Sequence, residues 1–123
     1  MLQSDEAIRK IRTLTPCAFN APTVLLVCYD ADETWHSRFD EGVESGPQDA
    51  SIVAVHMMLM AWTLGIGSCW VNYFSREKVR TAFGIPEHEV PLLLMPVGYP
   101  AENAGPLDLH GQYRPMEETV RYK

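Results

Sequence analysis

Residues 47–74 read PQDASIVAVHMMLMAWTLGIGSCWVNYF, and the reading of this stretch decides the fold. Pro47-Gln48-Asp49 is a helix entrance. Proline suits the first turn, and an aspartate can take up free backbone amides. The spacing predicts a helix over 49–64, about 24 Å long at ~1.5 Å rise per residue. From Ile52 to Leu64 its apolar side chains fall on every side, with no polar face. A helix without a wet face needs a neighbour on each side, and in a short chain a subunit contact supplies one. Gly65 suits the left-handed residue that ends a helix. Ser68 to Tyr73 then reads as a short strand or extended segment, and the Gly65-Ile66-Gly67 corner brings backbone amides within reach of a flat ligand.

Working outward, Thr23-Val24-Leu25-Leu26-Val27-Cys28-Tyr29 is a continuous apolar run led by Ala21-Pro22. It reads as a strand buried on both faces. Pro91 to Pro100 reads as a second such strand, trimmed by prolines. Ser4-Asp5-Glu6 opens a short amphipathic helix carrying Ala7, Ile8, Ile11 and Leu14, which Pro16 ends. Ser75 caps a helix with Val79, Ala82 and Phe83 on one side, closed by Gly84 and Pro86. Residues 31–48 read as a polar loop with a helical turn around Thr34–Phe39. Residues 101–123 form a polar, aperiodic tail of the kind that is disordered or wraps a partner subunit. The 123 residues are one domain, with no internal repeat.

Composition narrows the function classes. The net charge of −6 argues against broad binding to nucleic acid or anionic membrane, while leaving room for a local phosphate pocket. Cys17, Cys28 and Cys69 have no CxxC spacing and make a poor disulfide framework, so reduced thiols and a cytoplasmic location are expected. The apolar stretch is interrupted by His56, Gly65, Gly67, Ser68 and Asn72, and its helical part is too short to span a bilayer. His36, His56, His88 and His110 lack metal-ligand spacing and read as surface or satisfied core histidines. Asp30, Asp32 and Glu33 read as a solvated strand end. Cys69 has no base beside it and reads as a small buried residue. Gly65-Ile66-Gly67 follows a helix and precedes a strand, the reverse of a dinucleotide fingerprint.

Several segments in consistent order resemble the nitroreductase family of FMN-dependent NAD(P)H oxidoreductases. They are Asp49-Ala50-Ser51-Ile52, His56-Met57-Met58-Leu59, Ala61-Trp62, Leu64 to Val71, and the tail Arg114-Pro115-Met116-Glu117-Glu118-Thr119-Val120. Ala21 to Cys28 and Val90 to Pro100 look like two of the family's core strands. The resemblance spans about residues 18–122. It implies an α+β fold, a nitroreductase-like α/β sandwich, working as an intertwined homodimer. The 49–64 helix would pack on its copy, and the tail would embrace the other subunit. FMN would lie at the interface, with NAD(P)H as co-substrate and a nitroaromatic, quinone or similar small molecule as electron acceptor.

By the same resemblance, Trp70, Val71, Asn72 and Tyr73 would lie along the isoalloxazine ring, with a backbone amide facing flavin N5 or O4. A fixed donor there helps because reduced flavin gathers charge on the ring. Gln112 and Arg114 would reach the FMN phosphate, arginine meeting its oxygens bidentately. No side chain need act as a covalent catalyst.

The chain departs from the family in what precedes these segments. Relatives carry an RxSxRxF-type motif that grips the phosphate and an NxQPW-type segment, and neither occurs in these 123 residues. Gln112 stands where many relatives have a basic residue. The resemblance therefore implies FMN binding weakened by several kcal/mol. It also implies either a piece of a longer product or a shortened member with impaired cofactor binding. Two competing readings are a non-catalytic dimer of the same fold and a generic α/β domain that buries its apolar helix in a partner.

Overall fold

The computed structural model describes residues 1–123. Its elements are α1 (Asp5–Leu14), β1 (Thr23–Asp30), α2 (Gly46–Thr63), β2 (Gly67–Ser68), α3 (Arg76–Phe83), β3 (Glu89–Gly98) and α4 (Met116–Thr119). Short 3-10 turns lie at Pro16–Ala18 and Asp108–Gly111. The sheet is antiparallel in the order β1-β3-β2.

Helix ends follow sequence chemistry. The Ser4 and Ser75 hydroxyls accept from the Ala7 and Lys78 N–H groups. Gly65 (φ +71) and Gly84 (φ +60) stop α2 and α3 in the left-handed region. After α2, Gly65 N–H donates to Trp62 and Ile66 N–H to Ala61, which satisfies the last carbonyls.

β3 is the central strand. Because side chains alternate along it, Leu94 joins Ile8, Ile11, Val24, Val71 and Val79 on one face, while Leu93 and Met95 join Ala50 and Ala54 on the other. The register shifts between Val27 and Cys28, leaving Leu92 unpaired as a bulge. Pro96 is tolerated in mid-sheet because its partner Val24 turns both its backbone groups outward to Leu2, at 2.8 and 3.0 Å.

Three expectations change. α2 starts at Gly46, and Asp49 does not cap it: its carboxylate accepts from the Ser45 hydroxyl at 2.6 Å instead. Residues 34–39 form no helical turn. The loop doubles back through a His36–Glu44 bridge, with Ser37 N–H donating to Val43 and Ser45 N–H to Trp35. In β1 only Val24 is fully buried, and the other seven residues are half-buried.

The α2 packing explains the missing wet face. The helix lies on the sheet through Gly46, Ala50 and Ala54, the small residues one turn apart. That leaves Ile52, Val53, Val55, Leu59, Met60, Trp62 and Leu64 exposed in the single chain. Residues 101–123 are exposed throughout. No helix is long and apolar enough to cross a membrane.

Candidate functional site

Residues 67–73 form the segment on which the flavin expectation rests. β2 pairs Gly67 with Gly98 and Ser68 with Val97. Cys69 N–H donates to Pro96 at 3.2 Å, and Val71 exchanges both backbone hydrogen bonds with Leu94, at 2.9 and 3.0 Å. The segment is thus tied to β3 as far as Val71. The Val71 side chain is buried in the core shared by α1, α3 and β1. Trp70 faces the other way and packs on the α2 side, its Nε1–H donating to the Asn72 side-chain oxygen at 3.2 Å.

The backbone N–H of Val71 is therefore spent. Those of Trp70, Asn72 and Tyr73 have no partner within the chain. They are the amides left to meet a ligand, and the last two border a hollow of about 360 Å³ lined by Leu14, Pro16 and Asn72 to Ser75. Beyond Val71 the chain turns sharply, with Phe74 N–H donating to the Asn72 carbonyl at 3.0 Å. The Tyr73 carbonyl accepts from the Thr15 hydroxyl at 2.6 Å, and that hydroxyl also accepts from Cys17 N–H at 3.1 Å. Thr15 is the one buried polar side chain, 3% exposed. In the sequence it is easily missed, because a threonine before proline reads only as the end of a helix. Its capping of the Pro16–Ala18 turn was the available signal.

Gln112 and Arg114 lie elsewhere. Both are exposed in the tail, and Arg114 makes neither a hydrogen bond nor an ion pair. Within one chain nothing joins them to Trp70–Tyr73. Cys69 is exposed rather than buried as expected. Partial burial pushes its thiol pKa up, and the nearby Cys17 adds to the rise, so it is a poor source of thiolate at neutral pH.

A strand-edge segment with unspent amides, behind a glycine-ended apolar helix, fits a flat, acceptor-rich ring. Comparison with known proteins covers most of these elements. The family model described as "Nitroreductase family" matches residues 5–99.

This chain belongs to the nitroreductase family. It is 34% identical to a nitroreductase family protein of Clostridium difficile of known crystal structure. The two superpose with a TM-score of 0.88, over 98% of this chain and 70% of that one. It is 33% identical over 116 residues to a Methanothermobacter thermautotrophicus protein that carries NADH dehydrogenase/NAD(P)H nitroreductase as a provisional name, covering 89% of this chain and 58% of that protein. A shorter match, 34% over 59 residues, relates it to the FMN reductase (NADPH) of Bacillus subtilis, covering 46% of this chain and 24% of the reductase. This chain thus spans a little over half the length of the Methanothermobacter relative. The expected α+β nitroreductase fold is borne out by the Clostridium difficile structure.

Proposed function

We propose that this chain forms the ring-binding side of an FMN-dependent NAD(P)H oxidoreductase, completed in a homodimer. The observation that carries the reading is the pattern of spent and unspent amides at Trp70–Tyr73. Val71 is locked to Leu94 on both backbone groups, while Asn72 and Tyr73, whose N–H groups are free, border an open hollow. Free donors on a fixed strand suit the carbonyl and ring-nitrogen acceptors of a flavin. When bound, FMN would supply the hydride chemistry between NAD(P)H and a nitroaromatic, quinone or similar acceptor.

The chain's own part is binding and orientation. Asn72 and Tyr73 direct N–H donors at the ring edge, and the Trp70 indole, held by Asn72, backs the segment on the α2 side. Gln112 and Arg114, joined to this segment by no hydrogen bond or ion pair in their own chain, would reach the phosphate of the FMN in the second copy. Arg114 brings the charge and Gln112 a neutral donor. Support for two copies comes from the exposed apolar surface of α2. It borders a hollow of about 520 Å³ lined by Leu25, Val53, Met57, Met60, Leu64 and Val97, and exposed apolar side chains gathered on one face mark a contact surface.

The test is direct. Purified protein titrated with FMN should quench flavin fluorescence saturably and oxidise NADH or NADPH only when FMN is present. Absence of quenching up to millimolar FMN overturns the reading. A second reading, a dimer without catalysis, is favoured by the single cation at the phosphate position, since Gln112 is neutral. It predicts dimerisation with no flavin-dependent NAD(P)H oxidation.

A further inference from the structure

We propose that Thr15 is a positioning residue for the ligand-facing amides, acting through the Tyr73 carbonyl to set the direction of the Tyr73 N–H. The inference rests on the flavin reading above for its function, though its structural content does not.

Three consecutive peptide planes link Thr15 to the free amides. In a trans peptide the C=O and N–H point in opposite directions, so holding one aims the other. The peptide joining Val71 to Asn72 has its carbonyl held by Leu94 N–H at 3.0 Å, which aims the Asn72 N–H away from β3. The sheet therefore fixes the Asn72 donor. The peptide joining Asn72 to Tyr73 lies beyond the sheet. Its carbonyl is held only by Phe74 N–H, at 3.0 Å. That N–H belongs to the peptide joining Tyr73 to Phe74, whose carbonyl is held by the Thr15 hydroxyl at 2.6 Å. Thr15 thus anchors the third plane, the third plane anchors the second, and the second aims the Tyr73 N–H. No other side chain hydrogen-bonds to the backbone of this turn.

The hydroxyl does more than capping needs. A cap on the Pro16–Ala18 turn uses only an acceptor, and Thr15 provides that to Cys17 N–H. The donor half is free for a separate task and is committed to Tyr73, 58 residues away. Burial of Thr15 makes that commitment strong, because a hydroxyl left unsatisfied at a buried position costs its full desolvation.

The test compares wild type with Thr15→Val, which keeps the shape and removes the hydroxyl, and Thr15→Ser, which keeps the hydroxyl. Amide hydrogen exchange in the flavin-free protein should show protection of Phe74 N–H lost in Thr15→Val and retained in Thr15→Ser, with Val71 protected in all three. FMN titration should show affinity lowered roughly tenfold in Thr15→Val and restored in Thr15→Ser. The midpoint potential of bound flavin should become more negative only in Thr15→Val, a change that loss of a cap alone would not produce. Unchanged Phe74 protection in Thr15→Val, or unchanged FMN affinity and potential, overturns the proposal. If wild type binds no FMN, the flavin reading fails by itself, and the exchange pattern still decides whether Thr15 holds the turn. If Thr15→Val does not fold, Thr15→Cys keeps the volume with a weaker donor and should lie between wild type and full loss. Wild-type behaviour in that variant also overturns the proposal.

Discussion

Gly46 lies flat against the ring of Tyr29. A methyl group on its Cα would stand 2.9 Å from Tyr29 Cγ and closer still to the ring edge. This close approach lets the first turn of α2 settle on β1, while the Tyr29 hydroxyl reaches over to donate to the Glu44 carboxylate at 2.7 Å. The two residues together close the 31–45 loop onto the sheet.

Gly46→Ala should therefore destabilise the fold. The clash falls along the Cδ2–Cε2 edge of the ring, so Tyr29 must move and give up Glu44. Overpacking of this kind costs about 1–3 kcal/mol. Against it stands a helix-propensity gain of at most ~1 kcal/mol for alanine over glycine. Thermal melts should show a lower Tm, and Tyr29→Ala in the same chain should relieve part of the loss. A melt at or above wild type would show that the ring does not occupy this space.

Alkaline pH should weaken the fold through Tyr29 and Cys28. Burial, then the hydrogen bond and charge of Glu44, push the Tyr29 pKa above its ordinary 10.0. Burial, then Glu89, push the Cys28 thiol above its ordinary 9.0. Both groups are neutral in the fold, and the unfolded chain loses these protons first. Stability is thus complete below about pH 9 and falls as pH rises through the folded-state values. Urea midpoints at pH 8, 10 and 11 should decline in that order. Tyr29→Phe should decline less steeply above pH 10, and an equal slope would remove Tyr29 from the account.

Much of this arrangement was legible in the sequence because its causes are local. Ser4 and Ser75 announce their helices by side-chain capping. Gly65 and Gly84 announce the ends, because the left-handed conformation suits glycine. The apolar helix announced its need for cover, and its small-residue face at Gly46, Ala50 and Ala54 explains how one side meets the sheet. What was hidden depends on partners distant in sequence. Asp49 reads as a cap until the Ser45 hydroxyl is seen to engage it. The 31–45 loop doubles back through the His36–Glu44 bridge, which no propensity encodes. That Val71 N–H is spent, and that Thr15 holds Tyr73, both follow from pairings across 23 and 58 residues.

Leu59→Glu should separate association from folding. Leu59 is 59% exposed in the single chain, so the substitution leaves the monomer's core untouched. If α2 packs on its copy, it removes a buried leucine worth about 1.5–3 kcal/mol and inserts a charge without a partner. The dimer dissociation constant should rise at least tenfold, measured by sedimentation equilibrium, with the far-ultraviolet circular dichroism unchanged. Wild-type protein that sediments as a monomer at micromolar concentration would overturn the dimer.

Arg114 and Gln112 give the phosphate side its own test, independent of the amides at Trp70–Tyr73. Arg114 is exposed and unpaired, so Arg114→Ala should leave Tm unchanged within error. Its proposed work appears only with ligand. A charge-assisted hydrogen bond to phosphate contributes about 1.5–3 kcal/mol, so Arg114→Ala should weaken FMN binding about 10- to 100-fold. Gln112→Arg adds a second fork beside the first and should strengthen FMN binding, with a steeper salt dependence. Riboflavin, which has the ring and no phosphate, separates the two halves of the site. Its affinity should be the same in wild type, Arg114→Ala and Gln112→Arg, while Thr15→Val weakens it. If Arg114→Ala weakens riboflavin as much as FMN, the tail acts on the ring or on the dimer, and the phosphate assignment falls.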